Sequence, residues 1–169
     1  SGKKDPEKVA DAIIHHADVR RMLLTQKAVA EGGRAMIYHA AQLADKMNDA
    51  LMRGDTAAFE AHDDHLGFYT PILKGFLTEL GYEAANHGMQ VYGGHGYIKE
   101  WGMEQIVRDS RISTLYEGTT GVQALDLIGR KVLLSSKGKV IRDYTAEILK
   151  FCGQHARNKY MRRFAWDLT

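Results

Sequence analysis

Acid–base chemistry has one conspicuous candidate in this sequence, the carboxylate of Glu117. It closes the apolar, β-branched run Ile112-Ser113-Thr114-Leu115-Tyr116 and directly precedes Gly118, whose missing side chain lets another group come close to the backbone. Two influences on its proton oppose each other. The helix expected to open at Gly118-Thr119-Thr120 presents a partial positive charge that favours the ionised form, while Leu115 and Tyr116 would desolvate the group and favour the neutral one. Carboxylates held in that balance serve as general bases. Position alone also fits an acid in the first turn of a helix, which needs no chemistry.

The glycine-rich stretch Tyr92-Gly93-Gly94-His95-Gly96-Tyr97 is the second locus. Each glycine inside a helix costs about 1 kcal/mol, so the stretch is expected to end a helix in a turn. No strand pattern precedes it, so it is not a dinucleotide-binding fingerprint. His62-Asp63-Asp64-His65 carries metal-ligand residue types, but it falls in an expected exposed hairpin with no further ligand nearby, and no metal site is assigned. A G-x-S-x-G elbow is missing, and Cys152 lies on a helical face without a special partner. His15-His16 and Arg20-Arg21 read as solvated or interface charges, and Met22, Met36, Met47 and Met89 as core filler.

Helices must position these residues. From Ala12 the positions His16, Val19, Leu23, Gln26, Ala30, Gly33, Ile37, Ala40, Ala44, Met47 and Leu51 alternate steps of three and four, the spacing of one long helical seam that ends at Arg53-Gly54. Asp55 or Thr56 can cap a short segment, Ala57 to Ala61. A second seam, Leu66, Tyr69, Leu73, Phe76, Leu80, Ala84, His87 and Val91, carries Pro71 in its first turns and stops at Gly93-Gly94. A short helix is expected over Met103 to Arg111, then an extended connector, Ile112 to Tyr116, that delivers Glu117. Helical spacing resumes through Val122, Leu125, Gly129 and Val132 behind a threonine N-cap and breaks at Ser135-Ser136-Lys137-Gly138. It returns at Ile141, Tyr144, Ile148, Phe151 and His155, after which Trp166-Asp167-Leu168-Thr169 gives no C-cap signal. The expected fold class is all-α, an antiparallel helical bundle.

The 169 residues, 44% hydrophobic and 26% charged, suffice for one core. The 23 basic and 21 acidic residues are scattered, and the lack of a basic stripe argues against a nucleic-acid partner. No apolar run reaches the roughly 20 residues of a membrane-spanning helix. Ser1-Gly2-Lys3-Lys4-Asp5 lacks the apolar core of a signal peptide, and a start without methionine is expected of a piece of something longer. A single cysteine fits a reducing compartment, the cytoplasm or an organelle matrix.

Three segments taken together, Gln90-Val91-Tyr92-Gly93-Gly94-His95-Gly96-Tyr97, Val107-Arg108-Asp109-Ser110-Arg111-Ile112 and Leu115-Tyr116-Glu117-Gly118-Thr119, resemble the acyl-CoA dehydrogenase family in order and spacing. Gly129-Arg130-Lys131, reached through Gln123-Ala124-Leu125-Asp126-Leu127, is similar to the larger branch of that family, which includes enzymes acting on methylthio-substituted propanoyl-CoA. The resemblance implies that residues 1–134 are the family's C-terminal helical bundle and that residues 135–169 begin an additional helical segment. An N-terminal helical domain and a middle β domain would lie outside the sequence. It further implies FAD as cofactor, an acyl-CoA substrate, and α,β-dehydrogenation in which Glu117 removes the α-proton while FAD takes hydride from the β-carbon. An electron-transfer flavoprotein as acceptor and a homodimer or homotetramer belong to the same expectation.

By the same resemblance Tyr116 and Gly118 lie at the substrate, although Tyr116 also reads as a packed core tyrosine. The main-chain amide of Glu117 would help hold the developing enolate oxygen. Gln90, Val91, Tyr92, Gly93 and Gly94 would approach the ADP half of a flavin held mainly by a neighbouring subunit, and Thr119 would touch flavin or cap its helix. Gly121 departs from a glutamine common at that position in smaller relatives. Arg108 and Asp109 are expected to make a structural ion pair that holds the connector. An oxidase of the same superfamily would use the same base, and a helical assembly module could keep these motifs without catalysis. The chain alone is expected to retain no FAD and to be inactive.

Overall fold

The computed structural model describes residues 4–168. Two helices of 36 residues, α1 (Ala17–Met52) and α2 (Thr56–Val91), run antiparallel about a tight turn. Each is about 54 Å long at a rise of 1.5 Å per residue. Gly54, at φ 72°, closes α1 in the left-handed conformation, and the Asp55 carboxylate accepts the Ala58 N–H at 3.0 Å to start α2. A 3₁₀ turn, Ile13–His15, precedes α1.

The face of α1 that α2 covers keeps Val19, Gln26, Gly33, Ala40 and Met47 of the expected seam, and its alternate positions are one residue earlier than expected, at Met22, Val29, Met36, Leu43 and Ala50. Met22, Ala40, Leu43 and Ala50 are buried, and Val19, Gln26, Val29, Gly33, Met36 and Met47 are half-buried among them. Leu23, Ile37 and Leu51 of the expected seam are instead 37%, 53% and 62% exposed. Apolar residues flank the shared positions on both sides of α1, so helical spacing fits either choice of alternate positions. The stripe against α2 is the one with small residues at Gly33, Ala40 and Ala50, where backbones can approach; Leu77 of α2 seats at Gly33.

α2 is continuous. Ala57 to Ala61 form its opening turns rather than a separate segment, and Pro71 sits buried in mid-helix. Proline there forgoes one helical hydrogen bond and crowds the carbonyl four residues back. Packing outweighs that cost, because the neighbouring Phe68, 4% exposed, joins Val132 and Val140 in the buried core, with Ile72, Leu127 and Tyr144 around it. Tyr144 also meets the rings of Phe68 at 5.3 Å and Tyr69 at 5.9 Å. His62 to His65 lie within the opening turns of α2 rather than in a loop, and among the described residues no three His, Cys, Asp or Glu side chains converge.

Beyond Val91 the glycine-rich stretch forms a one-turn helix, α3 (Gly94–Tyr97), entered through Gly93 at φ 61°. A 3₁₀ turn, Lys99–Trp101, and Gly102 lead into α4 (Met103–Ile112), which returns along α2, with Met103 at Gly88 and Ser113 at Lys74. The expected extended connector is wound instead. The N–H groups of Leu115 and Tyr116 both donate to the Ile112 carbonyl, at 2.9 and 3.2 Å, prolonging α4 as turns. Its β-branched residues have no neighbouring strand to pair with, and local hydrogen bonds decide the conformation.

α5 (Thr120–Leu125) widens into a π-helical segment, Asp126–Ser135. α6 (Lys139–His155) packs over α2 and the π segment, and a helix that the sequence pattern did not announce, α7 (Arg162–Asp167), packs on α6. No strand occurs among the described residues, so the architecture is the expected all-α bundle. No described helix is long and apolar enough to cross a membrane.

The glycines of α3 divide by physical role. A Cβ on Gly96 would lie 2.4 Å from the Met89 carbonyl oxygen, whereas one on Gly94 would meet nothing within 4 Å. Gly96→Ala is therefore expected to lose about 1–3 kcal/mol in urea unfolding, the range of core overpacking. Gly94→Ala should change stability by less than about 0.5 kcal/mol. Asp55→Ala, which removes the α2 cap, should cost about 1 kcal/mol in the same measurement.

Candidate functional site

Glu117 has a backbone conformation that side chains rarely adopt, φ 55°, followed by Gly118 at φ 92°. A left-handed residue with a Cβ costs roughly 1–2 kcal/mol, so the surroundings must hold it. They do so from both sides. Upstream, Lys74 of α2 donates from Nζ to the Ser113 carbonyl at 2.8 Å and stands 6.0 Å from the Tyr116 ring centre. The Arg111 guanidinium bonds the buried Thr114 hydroxyl and lies 5.5 Å from the Tyr82 ring. Downstream, Gln123 of α5 donates from Nε2 to the Glu117 carbonyl at 3.1 Å. Thr120 ties the start of α5 to α2 through a 2.7 Å bond to Glu79 Oε1.

Several expectations change here. Leu115 and Tyr116 are 49% and 52% exposed, so within this chain they do not desolvate Glu117, whose own side chain is exposed. Thr119 occupies the N-cap position of α5, yet its hydroxyl makes no capping bond. Arg108 and Asp109 form no ion pair with each other, since adjacent residues on a helix point apart. Asp109 accepts instead from Gln105 Nε2 at 2.6 Å. The connector is held by Lys74, Arg111 and Gln123; Arg111 and Gln123 fall within the quoted segments but carried no assigned role, and Lys74 lies outside them. The sequence signal for Lys74 is placement, directly before Gly75, the buried glycine of α2 that α5 covers.

Gln90 and Gly93 lie elsewhere, on a polar groove of about 500 Å³ between the start of α1 and the end of α2. Asp18, Arg21, Asn86 and His87 also line it. Arg21 donates to Asp18 at 2.9 Å, while His87 Nε2 is buried without a hydrogen bond, 3.5 Å from Glu83 Oε1. Val91 is half-buried, and the half-exposed Tyr92 leans on Trp101 with ring centres 6.3 Å apart. Gly94 faces open space.

Sixteen residues of α2 separate Lys74 from Gln90, roughly 24 Å at helical rise. The expected site residues thus fall into two groups at opposite ends of one helical stretch. Burial pushes the Tyr69 phenol up, and the bond from Arg130 holds the half-buried Asp126 carboxyl below its ordinary range.

Comparison with known proteins accounts for this arrangement at the level of family. Residues 4–133 match the acyl-CoA dehydrogenase C-terminal domain. A 3-methylmercaptopropionyl-CoA dehydrogenase of Ruegeria pomeroyi is 46% identical over 121 residues, 72% of this chain and 20% of that protein. A broad-specificity linear acyl-CoA dehydrogenase of Mycobacterium tuberculosis is 36% identical over 146 residues, 86% of this chain and 23% of that protein. A butyryl-CoA dehydrogenase of Syntrophomonas wolfei is 32% identical over 161 residues, 95% of this chain and 26% of that protein. The chain therefore spans about a quarter or less of these relatives. A solved structure titled "Bd2924 apo-form" shares the fold at a TM-score of 0.70 and 20% identity, covering 96% of this chain and 33% of its own. The chain belongs to the acyl-CoA dehydrogenase family, and residues 4–133 are its C-terminal domain.

Proposed function

We propose that the polypeptide to which this domain belongs is a flavin-dependent acyl-CoA dehydrogenase and that Glu117 is its catalytic base. The observation that carries the reading is the left-handed backbone of Glu117, a strained carboxylate held between Lys74 and Gln123. Strain of this kind is retained where a side chain must be presented in one direction.

The residues fit a flavin in two places. At the groove, Gln90 offers a side-chain amide, and Gly94, which no contact within the chain requires to be glycine, leaves room for a pyrophosphate beside Gly93. At the other end the Thr119 hydroxyl, unused for capping, is available to a flavin ring. The roughly 24 Å between the ends suits two different flavins, one from a neighbouring subunit, rather than one. When bound, the flavin supplies the hydride acceptor for the substrate β-carbon.

The chain supplies the proton chemistry. Glu117 takes the α-proton of the acyl thioester, and its own N–H, engaged in no backbone hydrogen bond, can donate to the thioester oxygen as negative charge develops there. Gly118 keeps that approach uncrowded, and the half-exposed Tyr116 walls the acyl side. The proposed assignment keeps residues 1–134 as the bundle and 135–169 as the start of a further helical segment. The exposed stripe of α1 is proposed as the homo-oligomer contact. The caffeyl-CoA reductase–Etf complex subunit of Acetobacterium woodii, 28% identical over 126 residues, supports an electron-transfer flavoprotein as acceptor. The bacterial relatives favour the cytoplasm.

In the full-length enzyme, Glu117→Gln should lower turnover by about 10²–10⁴-fold with flavin content unchanged, the effect expected of a lost general base. Turnover equal to the parent would sink the assignment. Gly94→Ala, neutral for folding, should weaken flavin retention by about tenfold in a reconstitution titration, the consequence of a methyl group in the pyrophosphate's place.

A further inference from the structure

We propose that Gln123 is a positioning residue that fixes the direction in which Glu117 presents its carboxylate, an inference that rests on the reading of Glu117 as the base. Glu117 is joined to Gly118, and a residue before glycine can turn its peptide plane cheaply because glycine accepts φ of either sign. The plane between them is therefore the hinge on which the carboxylate swings. Gln123 grips that plane. Its Nε2 donates to the Glu117 carbonyl oxygen at 3.1 Å, and the same nitrogen lies 2.6 Å from where a Gly118 Cβ would stand. The amide is thus laid against both residues of the hinge.

Gln123 is itself anchored. Its Cβ is 3.7 Å from the place a Cβ on Gly75 would take, so α5 lies directly on α2 at this residue. Thr120, one turn earlier, is bonded to Glu79 of α2 at 2.7 Å. The path from rigid helix to base is continuous, α2 to α5 to Gln123 to the Glu117 carbonyl. Lys74 cannot do this work, because it holds Ser113, upstream of the reversal.

The test is Gln123→Met in the full-length flavoenzyme, which keeps the side chain's length and its packing but removes the N–H donor. Glu117→Gln is assayed in parallel. The expected result is a kcat lower by about tenfold to 10²-fold, the scale of a misplaced reacting group, with KM, flavin content and Tm as in the parent. The isotope effect on α-deuterated acyl-CoA should rise, since proton removal becomes slower relative to other steps. Parent-like kcat in Gln123→Met, with Glu117→Gln inactive, overturns the positioning role and leaves the base standing. Parent-like kcat in both variants removes the base reading itself. Loss of flavin or of Tm alongside kcat would make Gln123 a framework residue and likewise overturn the proposal.

Discussion

One helix against which most of the others pack constrains the rest of the chain. α2 is buried or half-buried along most of its length, with α1 on one flank and α3, α4, α5, the π-helical segment and α6 on the others. A helix in that situation cannot carry bulky side chains wherever another element crosses, and Gly75 under α5 and Gly88 under Met103 are where the crossings fall. It also cannot bend without disturbing several neighbours at once. The spacing between the Glu117 loop, anchored at Lys74 and Glu79, and the polar groove at Asn86 to Gly93 is therefore set by helical rise alone.

That rigidity is what lets a strained residue persist. The left-handed backbone of Glu117 costs roughly 1–2 kcal/mol. A hydrogen bond to a charged donor contributes about 1.5–3 kcal/mol and a neutral one about 1 kcal/mol. The Lys74 bond to Ser113 and the Gln123 bond to Glu117 together exceed the strain, even after some discount for their partial exposure. The Gln123 bond acts on the strained residue itself and sits near balance with its cost, while the Lys74 bond secures the turn that leads into it.

The sequence made the helical class and most of the two long helices legible, because steps of three and four from His16 to Leu51 and from Leu66 to Val91 have no other reading, although the opening turns of α2 read as a separate segment. It also gave the boundaries at Gly54, Gly93 and Met103, each marked by a glycine or a cap. What it hid was decided by tertiary contacts. Which alternate positions of α1 turn inward, Met22 and Leu43 rather than Leu23 and Ile37, depended on where α2 packs. Pro71 reads as a helix start until its burial beside Phe68 is known, and the β-branched run after Ile112 reads as extended until no strand is found to receive it. The two loci could be picked out by residue type, Glu117 beside glycine and glycines after Gln90. The grip on Glu117 could not, since Lys74 and Gln123 come from 43 residues before it and 6 residues after it.

The same exposure that makes this domain look unfinished bears on its chemistry. Leu24, Tyr38 and Met52 on α1, and Val122, Leu125, Ile128 and Leu134 along α5 and the π-helical segment, are left open, as are Leu115 and Tyr116 beside Glu117. Apolar surface on this scale is normally covered by another domain or subunit. A carboxylate in water is a weak base toward a thioester α-proton, and burial is what strengthens it. The apolar residues left open around Glu117, namely Leu115, Tyr116 and Val122, are the ones whose covering would dry the proposed base. Under the proposed role, the backbone reversal at Glu117 is held within this chain by Gln123 behind the turn that Lys74 secures, and the drying would come from whatever covers Leu115, Tyr116 and Val122.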